Sequence, residues 1–266
     1  MRAPRWTVVL FTMLLTLPTL TLAQKSKPRK TQPSRQPSYA DFSLPDLYAP
    51  VLNDTSQALV VTASGWNAVD GSLQRYEKQE GKWVTVGEKI AVVLGKNGLA
   101  WDALAEPAPT GAPLKQEGDG RSPAGIFSLG DAFGFAVSHA GLKLPYQPLT
   151  ASIECIDDPN SSYYNQIVNR EDVPYPNWSS SEKMASIAAY KEGAVVEYNA
   201  DWVPGAGSCI FLHIWSGSGH GTAGCTAMPE DKLTEVLRWL DASKKPILIQ
   251  LPAAMYNDVK TSWKLP

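Results

Sequence analysis

Cys225 and His213 are the residues whose types and separation best suit nucleophilic chemistry in this chain. They lie in residues 209–229, which read CIFLHIWSGSGHGTAGCTAMP. A thiol with an ordinary pKa of about 8.5 is mostly protonated at neutral pH, and a neighbouring imidazole can take its proton to give the reactive thiolate. Read as a strand, residues 209–215 place Ile210, Leu212 and Ile214 on one face, the core face, and Cys209, Phe211, His213 and Trp215 on the other. Cys209 is then roughly 13 Å from His213 along the strand, too far for a side-chain hydrogen bond, so Cys225 is the better partner. Gly217, Gly219, Gly221 and Gly224 let the backbone turn back towards the histidine. Gly224 leaves room for a carbonyl substrate, and the backbone N–H groups of Ala223, Gly224 and Cys225 are placed to stabilise an oxyanion. The structural alternative is a small buried thiol and a hydrogen-bonded strand histidine; on residue chemistry alone the two readings stand level.

The elements that must position this pair are mostly strands. Residues 58–64, 82–86, 90–94, 125–129, 149–156, 194–198, 209–215 and 246–251 have strand character, with turn signals such as Asp70-Gly71, Glu80-Gly81 and Asn97-Gly98 between several of them. Helical periodicity is clearest over 229–241. There Pro229 suits the first helical position, Glu230 and Asp231 complement the dipole, and Leu233, Val236, Leu237 and Leu240 form one stripe that should seal the core behind Cys225. Residues 253–263 and, more weakly, 182–191 are further helix candidates. The expected fold class is therefore mainly β with a few helices. Residues 99–124, rich in Pro and Gly, read as a long loop.

The chain begins with Arg2 and Arg5 ahead of an apolar stretch, residues 8–22, ending in Thr21-Leu22-Ala23. This is the pattern of a cleaved signal peptide over residues 1–23; Pro18 and the short span argue against a retained membrane helix. Residues 24–38 carry five basic residues and three prolines with no acid or aromatic, the composition of a disordered tether ahead of a body at 39–266. Seven of the 24 basic residues and none of the 26 acids precede position 39, which leaves −9 on the body. A basic arm on an acidic domain suits contact with an anionic envelope polymer, or serves as a solubilising spacer. Nucleic-acid binding is not expected. Three cysteines in an exported chain fit one working thiol plus one disulfide, Cys155 to Cys209, against the alternative of three free thiols. No zinc-site spacing is present, and neither a metal nor an organic cofactor is expected.

At residues 213–225 the sequence resembles the L,D-transpeptidase catalytic domain family, the YkuD-like cysteine enzymes of bacterial cell walls. The family has a histidine followed by a glycine-rich stretch ending in Ser/Thr-His-Gly-Cys, matched here by His213 and Thr222-Ala223-Gly224-Cys225. It also has an earlier Thr/Ser-Pro-x-Gly-x-Phe segment, matched by residues 122–127. The resemblance implies a YkuD-like β-sandwich with Cys225 ahead of a packed helix, Cys225 as acylated nucleophile, His213 as base and Gly224 in the oxyanion turn. Ala223 departs from the family's second histidine, and Ala227 from the polar or basic residue usual two positions after the cysteine, so the chain is similar to a divergent branch. His220 is a candidate to replace the lost imidazole, or a loop histidine. Arg121 and Trp215 are candidate substrate contacts, Arg121 alternatively a surface arginine with no task, and Tyr163, Tyr164, Asn165, Trp178 and Trp202 are candidate groove or lid residues, the aromatics alternatively core or rim. Asp157 and Asp158 are weak candidates to orient His213. The implied activity is acyl transfer on peptidoglycan stem peptides in the periplasm or cell envelope of a bacterium. The alternatives are an L,D-carboxypeptidase or amide hydrolase using the same thiol, and a non-catalytic wall-binding module. The acceptor amine, the exact stem peptide and the oligomeric state are not encoded in these motifs.

Overall fold

The computed structural model describes residues 38–266, so the expected signal peptide and nearly all of the tether lie outside the described residues. A short helix α1 (Ala49–Asp54) leads into an antiparallel run of β1 (Gln57–Ala63), β2 (Asp70–Gln79) and β3 (Lys82–Val93). β4 (Leu99–Trp101), the long β5 (Ser122–Gly134) and β6 (Tyr146–Pro148) follow. A separate small sheet of β7 (Ile153–Cys155), β8 (Ile167–Asn169) and β9 (Glu182–Lys183) is inserted before β10 (Glu192–Val196). β11 (Phe211–Ile214), β12 (Thr226–Met228), α2 (Glu230–Trp239), β13 (Ile247–Pro252) and α3 (Ala253–Val259) complete the chain.

The fold is mainly β, and its large sheet runs β10-β11-β12-β3-β2-β1-β13-β5. β5 is long enough to serve two neighbours: residues 125–128 pair with β13, and residues from Leu129 onward pair with β10. The sheet therefore closes on itself instead of remaining two separate layers, and closure removes exposed edges. β13 reads ILIQLP, and all six residues are buried, as a strand flanked on both sides and covered on both faces requires.

The main core gathers apolar residues from β1, β5 and β13 with Leu233, Val236 and Leu237 of α2, each worth about 1.5–3 kcal/mol on full burial. A second, smaller cluster lies on the opposite side of β11. It contains Phe133, Leu149, Ile153, Cys155, Met184, Tyr190, Cys209, Phe211 and Cys225. The face of β11 opposite the main core is thus half roofed by the inserted segment. β11 is buried on both faces at Phe211 and Leu212, and only the far end of the strand loosens.

Several expected boundaries move for identifiable reasons. The 82–86 and 90–94 strands are one continuous β3, with a register shift where it pairs with β2 near Leu73 and Arg75. The 149–156 strand contracts to β7, and the 209–215 strand starts only at Phe211 because Cys209 has a positive φ of 55°. The weak helix at 182–191 is absent: that segment is β9 followed by two short 3₁₀ turns, Met184–Ser186 and Ala188–Lys191. β2, β4, β6, β8 and β12 lie outside the expected strands, and β4 and the first residues of β5 take up both ends of the expected 99–124 loop. Among the described residues no helix is long and apolar enough to cross a membrane.

Cys155 and Cys209 form a disulfide, with Cα atoms 6.0 Å apart and a sequence separation of 54. It ties the inserted sheet to the residue just ahead of β11. Closing a loop of that size stabilises by about 4 kcal/mol in the chain-entropy account. The Cys155→Ser/Cys209→Ser double variant should lose about that much in denaturant titration with Cys225 still present. A change below about 1 kcal/mol would show the bond to be neutral.

Candidate active site

Cys225 and His213 are brought to one cavity by the pairing of β11 and β12. These strands are parallel, with Leu212 opposite Thr226 and His213 opposite Ala227. Continuing that register places Cys225 level with Phe211, so Cys225 and His213 lie on the same face of adjacent strands, a diagonal of roughly 8 Å between Cα atoms. Both line a cavity of about 250 Å³ that also takes in Lys115, Glu117, Asp157, Glu182 and Tyr190.

A parallel pair needs the chain to cross back within residues 215–225, and the glycine loop does so by docking on the end of β3. Thr222 exchanges backbone hydrogen bonds with Leu94 (2.9 Å) and Lys96 (2.8 Å). Gly219 takes a φ of +74°, and a Cβ at Gly221 would stand 2.5 Å from the Lys96 Cα. These two glycines therefore have distinct uses, positive φ and close approach. Gly224 has neither; its φ is unexceptional and a Cβ there would meet its neighbours at 3.3 Å.

The two sequence motifs meet at the nucleophile. The Ser122 hydroxyl donates to the Cys225 carbonyl (2.9 Å) and accepts from the Gly95 N–H (2.8 Å). The Thr222 hydroxyl donates to the same carbonyl (2.6 Å). One residue on, the Thr226 hydroxyl donates to Gln250 (2.6 Å), whose amide donates to the Pro123 carbonyl (2.8 Å). The Ser-Pro segment thereby fixes the backbone on both sides of the thiol. Ser122→Ala would orphan the buried Gly95 N–H, at an expected cost of about 1–3 kcal/mol in urea titration; an unchanged midpoint would mean that water or Thr222 replaces the serine.

The Cys225 sulfur is 5% exposed by residue, accepts from the Phe211 N–H (3.3 Å) and reaches the Cys209 carbonyl (3.4 Å). Burial pushes its pKa well above the usual thiol value, and the Glu182 charge pushes the same way; the Phe211 N–H, Tyr190 and Lys115 pull it down. Burial holds His213 below the ordinary histidine value, against a smaller opposing contribution from the Ile214 carbonyl. That carbonyl lies 2.8 Å from Nδ1 and is the orienting group; neither Asp157 nor Asp158 touches the ring. A carbonyl only accepts, so Nδ1 carries the proton and Nε2 is the free base. The Tyr190 ring packs edge-on against the imidazole with centroids 5.4 Å apart.

Other expected residues fall elsewhere. Arg121 is a structural clamp: its guanidinium donates to the carbonyls of Trp66 (3.1 Å) and Leu99 (2.9 Å) and to the Asn67 side chain (3.0 Å), away from the cavity. Trp215 and His220 do not line the cavity; His220 is exposed, beside the Ser218 carbonyl. Ala223 is at the mouth. The Gly224 N–H is taken by the Thr222 hydroxyl (3.1 Å), which removes it as an oxyanion donor. Tyr164 donates to Glu117 (2.5 Å) and Asn165 holds the Cys209 N–H (2.9 Å), so these two support residues that line the cavity without lining it themselves, while Trp178 donates to Glu154 (3.0 Å) outside it. Trp202 stays half exposed and lines a different depression. Asp158 is held at about 2 by hydrogen bonds from the hydroxyl and N–H of Ser179 and has a loop-building role. The carboxyl–phenol pair of Glu182 and Tyr190 was missed by sequence reasoning, since nothing in 182–191 announces that it reaches the thiol.

The family model of the L,D-transpeptidase catalytic domain, YkuD, matches residues 76–249. No curated protein sequence matches the chain. Two solved structures are similar, the helical cell shape determining protein Pgp2 from Campylobacter jejuni and a variant of it. Each has 17% identity and a TM-score of 0.37, over 80% of this chain and 56% of theirs. The chain thus spans little more than half the length of those proteins.

Proposed function

Because the chain belongs to the L,D-transpeptidase catalytic domain family, we propose that it is an exported cysteine acyltransferase acting on peptidoglycan stem peptides. The observation that carries the reading is the shared cavity of Cys225 and His213, whose Nδ1 is already committed to a carbonyl. The Cys225 proton passes to His213 Nε2, and the thiolate attacks the carbonyl of the L-centre at stem position three. The resulting oxyanion is met by the N–H of Cys225, since that of Gly224 is spent on Thr222. The amide to the terminal D-alanine breaks, His213 returns the proton to the leaving amine, and a thioester remains on Cys225. An acceptor amine then attacks the thioester, giving up its proton through His213, and the thiol is restored.

Raised sulfur and lowered imidazole pKa values keep the resting pair neutral, so the ion pair forms only as substrate fills the cavity. Residues 1–23 serve as the export signal and residues 24–38 as a tether, which places the reaction in the bacterial cell envelope.

Incubating the full mature chain with tetrapeptide muropeptides and following products by mass tests the reading. Release of D-alanine with cross-linked dimers supports transfer; release with trimmed monomers alone reassigns the thioester to water. Muropeptide binding without any D-alanine release would leave only a wall-binding module.

A further inference from the structure

Glu182 and Tyr190 form an unassigned polar pair against the nucleophile. The Tyr190 ring is buried among Phe133, Phe211 and His213, and its hydroxyl donates to Glu182 Oε2 at 2.5 Å. Tyr190 and Cys225 line the same cavity, with the phenol in electrostatic reach of the sulfur. A phenol has one proton to donate, so Glu182 and the sulfur compete for it. Glu182 is placed by β9, where it stands opposite Cys155, and Cys155 is bonded to Cys209, whose carbonyl touches the sulfur. The carboxyl, the disulfide and the sulfur are thus linked through adjacent backbone positions.

Glu182 also lacks a cation. Among the described residues no lysine, arginine or histidine forms an ion pair with it. The one lysine on the cavity wall, Lys115, is committed to Asp119 (2.8 Å) and the Gln116 carbonyl (2.7 Å). The other acids facing the cavity are also held: Glu117 by Tyr164 and Ser208, and Asp157 by Ser180. A charge on Glu182 thus has no ion-pair partner of its own, and at the thiol it opposes the weaker pull of Lys115.

We infer that Glu182 is a positioning residue that controls Cys225 through Tyr190: ionised, it holds the phenol proton and keeps the thiol protonated; neutralised, it frees that proton to donate to the thiolate. Cys225 gives its proton to His213 in either case, and only the Tyr190 hydrogen bond changes partner. Burial, reinforced by Asp157 and Glu117, pushes the Glu182 carboxyl up to about 7, so the change of state falls near neutral pH. As pH rises through that point Glu182 ionises and opposes loss of the thiol proton, which delays Cys225 ionisation. The inference goes beyond the proposed acyl transfer, needing only that Cys225 is a titrating thiol.

The test is the pH dependence of iodoacetamide alkylation at Cys225, read by intact mass on the disulfide-bonded chain. Glu182→Gln keeps an acceptor for Tyr190 and removes the charge. Its alkylation midpoint is expected to fall by about one pH unit, roughly a tenfold faster rate on the rising limb. In a Tyr190→Phe background the same substitution is expected to keep only the part that comes from direct repulsion between carboxylate and thiolate, about threefold, since the donor is gone. Superimposable profiles for wild type and Glu182→Gln, with equal melting temperatures, would overturn the inference; so would a full tenfold effect persisting without the Tyr190 hydroxyl. Failure here with D-alanine release intact would leave the acyl-transfer reading standing.

Discussion

Cys225→Ala is expected to yield a folded, disulfide-bonded protein that forms no covalent adduct with a stem tetrapeptide and releases D-alanine at least about 10⁴-fold more slowly than wild type. The size of the effect follows from the chemistry: no other thiol is free among the described residues, since Cys155 and Cys209 are bonded to each other. The structural cost is small by comparison. The sulfur fills a packed site and accepts one N–H from Phe211. Its loss should lower stability by no more than about 1–3 kcal/mol, visible as a shifted urea midpoint without loss of cooperativity. Cys225→Ser restores a hydroxyl acceptor and should recover part of the stability while remaining inactive. A Cys225→Ala protein that still releases D-alanine at the wild-type rate would remove the thiol from the mechanism.

His213→Gln is the second large effect. The imidazole shares the cavity with the thiol, and its orientation is fixed through Nδ1 and the Ile214 carbonyl, which leaves Nε2 as the base. Its loss should slow thioester formation by about 10²–10⁴-fold, since general-base assistance is worth that much. The pH dependence supplies a second readout. Burial depresses the folded-state pKa of His213, so as pH falls the unfolded chain takes up the proton first, beginning near the ordinary histidine value of about 6.5. The wild-type protein therefore loses stability as pH falls through 6.5 towards the lower folded value, and His213→Gln should lose less over the same window. Thermal melts from pH 7 to 5 check this; parallel curves for the two proteins would mean that the imidazole is not buried in solution.

The thiol and imidazole were legible because their geometry is local: a strand, a glycine return and a cysteine within 13 positions. The Ser122 segment was legible only as a motif, and its task, gripping the Cys225 carbonyl, is a contact across 103 residues that no periodicity encodes. β2 was hidden by its charged, half-solvated sequence DGSLQRYEKQ, which alternates poorly. β12 was hidden by its three-residue length between nucleophile and helix. Residues 182–191 carry helix-forming alanines, yet β9 pairs with β7 and Tyr190 packs into the second core cluster, a tertiary demand that overrides propensity. Arg121 illustrates the opposite error. A guanidinium beside a motif suggested a ligand, whereas the loop it sits in needed its backbone carbonyls tied down. Glu182 and Tyr190 escaped notice because they reach the cavity through the pairing of β9 with β7 and through packing in the second core cluster, neither of which is local in sequence.

The most direct test is the intact mass of the full chain after brief exposure to a stem tetrapeptide, followed by peptide mapping of any adduct. A mass gain equal to the tripeptide acyl group, located on Cys225 and absent from Cys225→Ala, is the expected result. An unmodified chain under conditions in which D-alanine is nonetheless released, or an adduct mapped to any other residue, would contradict it.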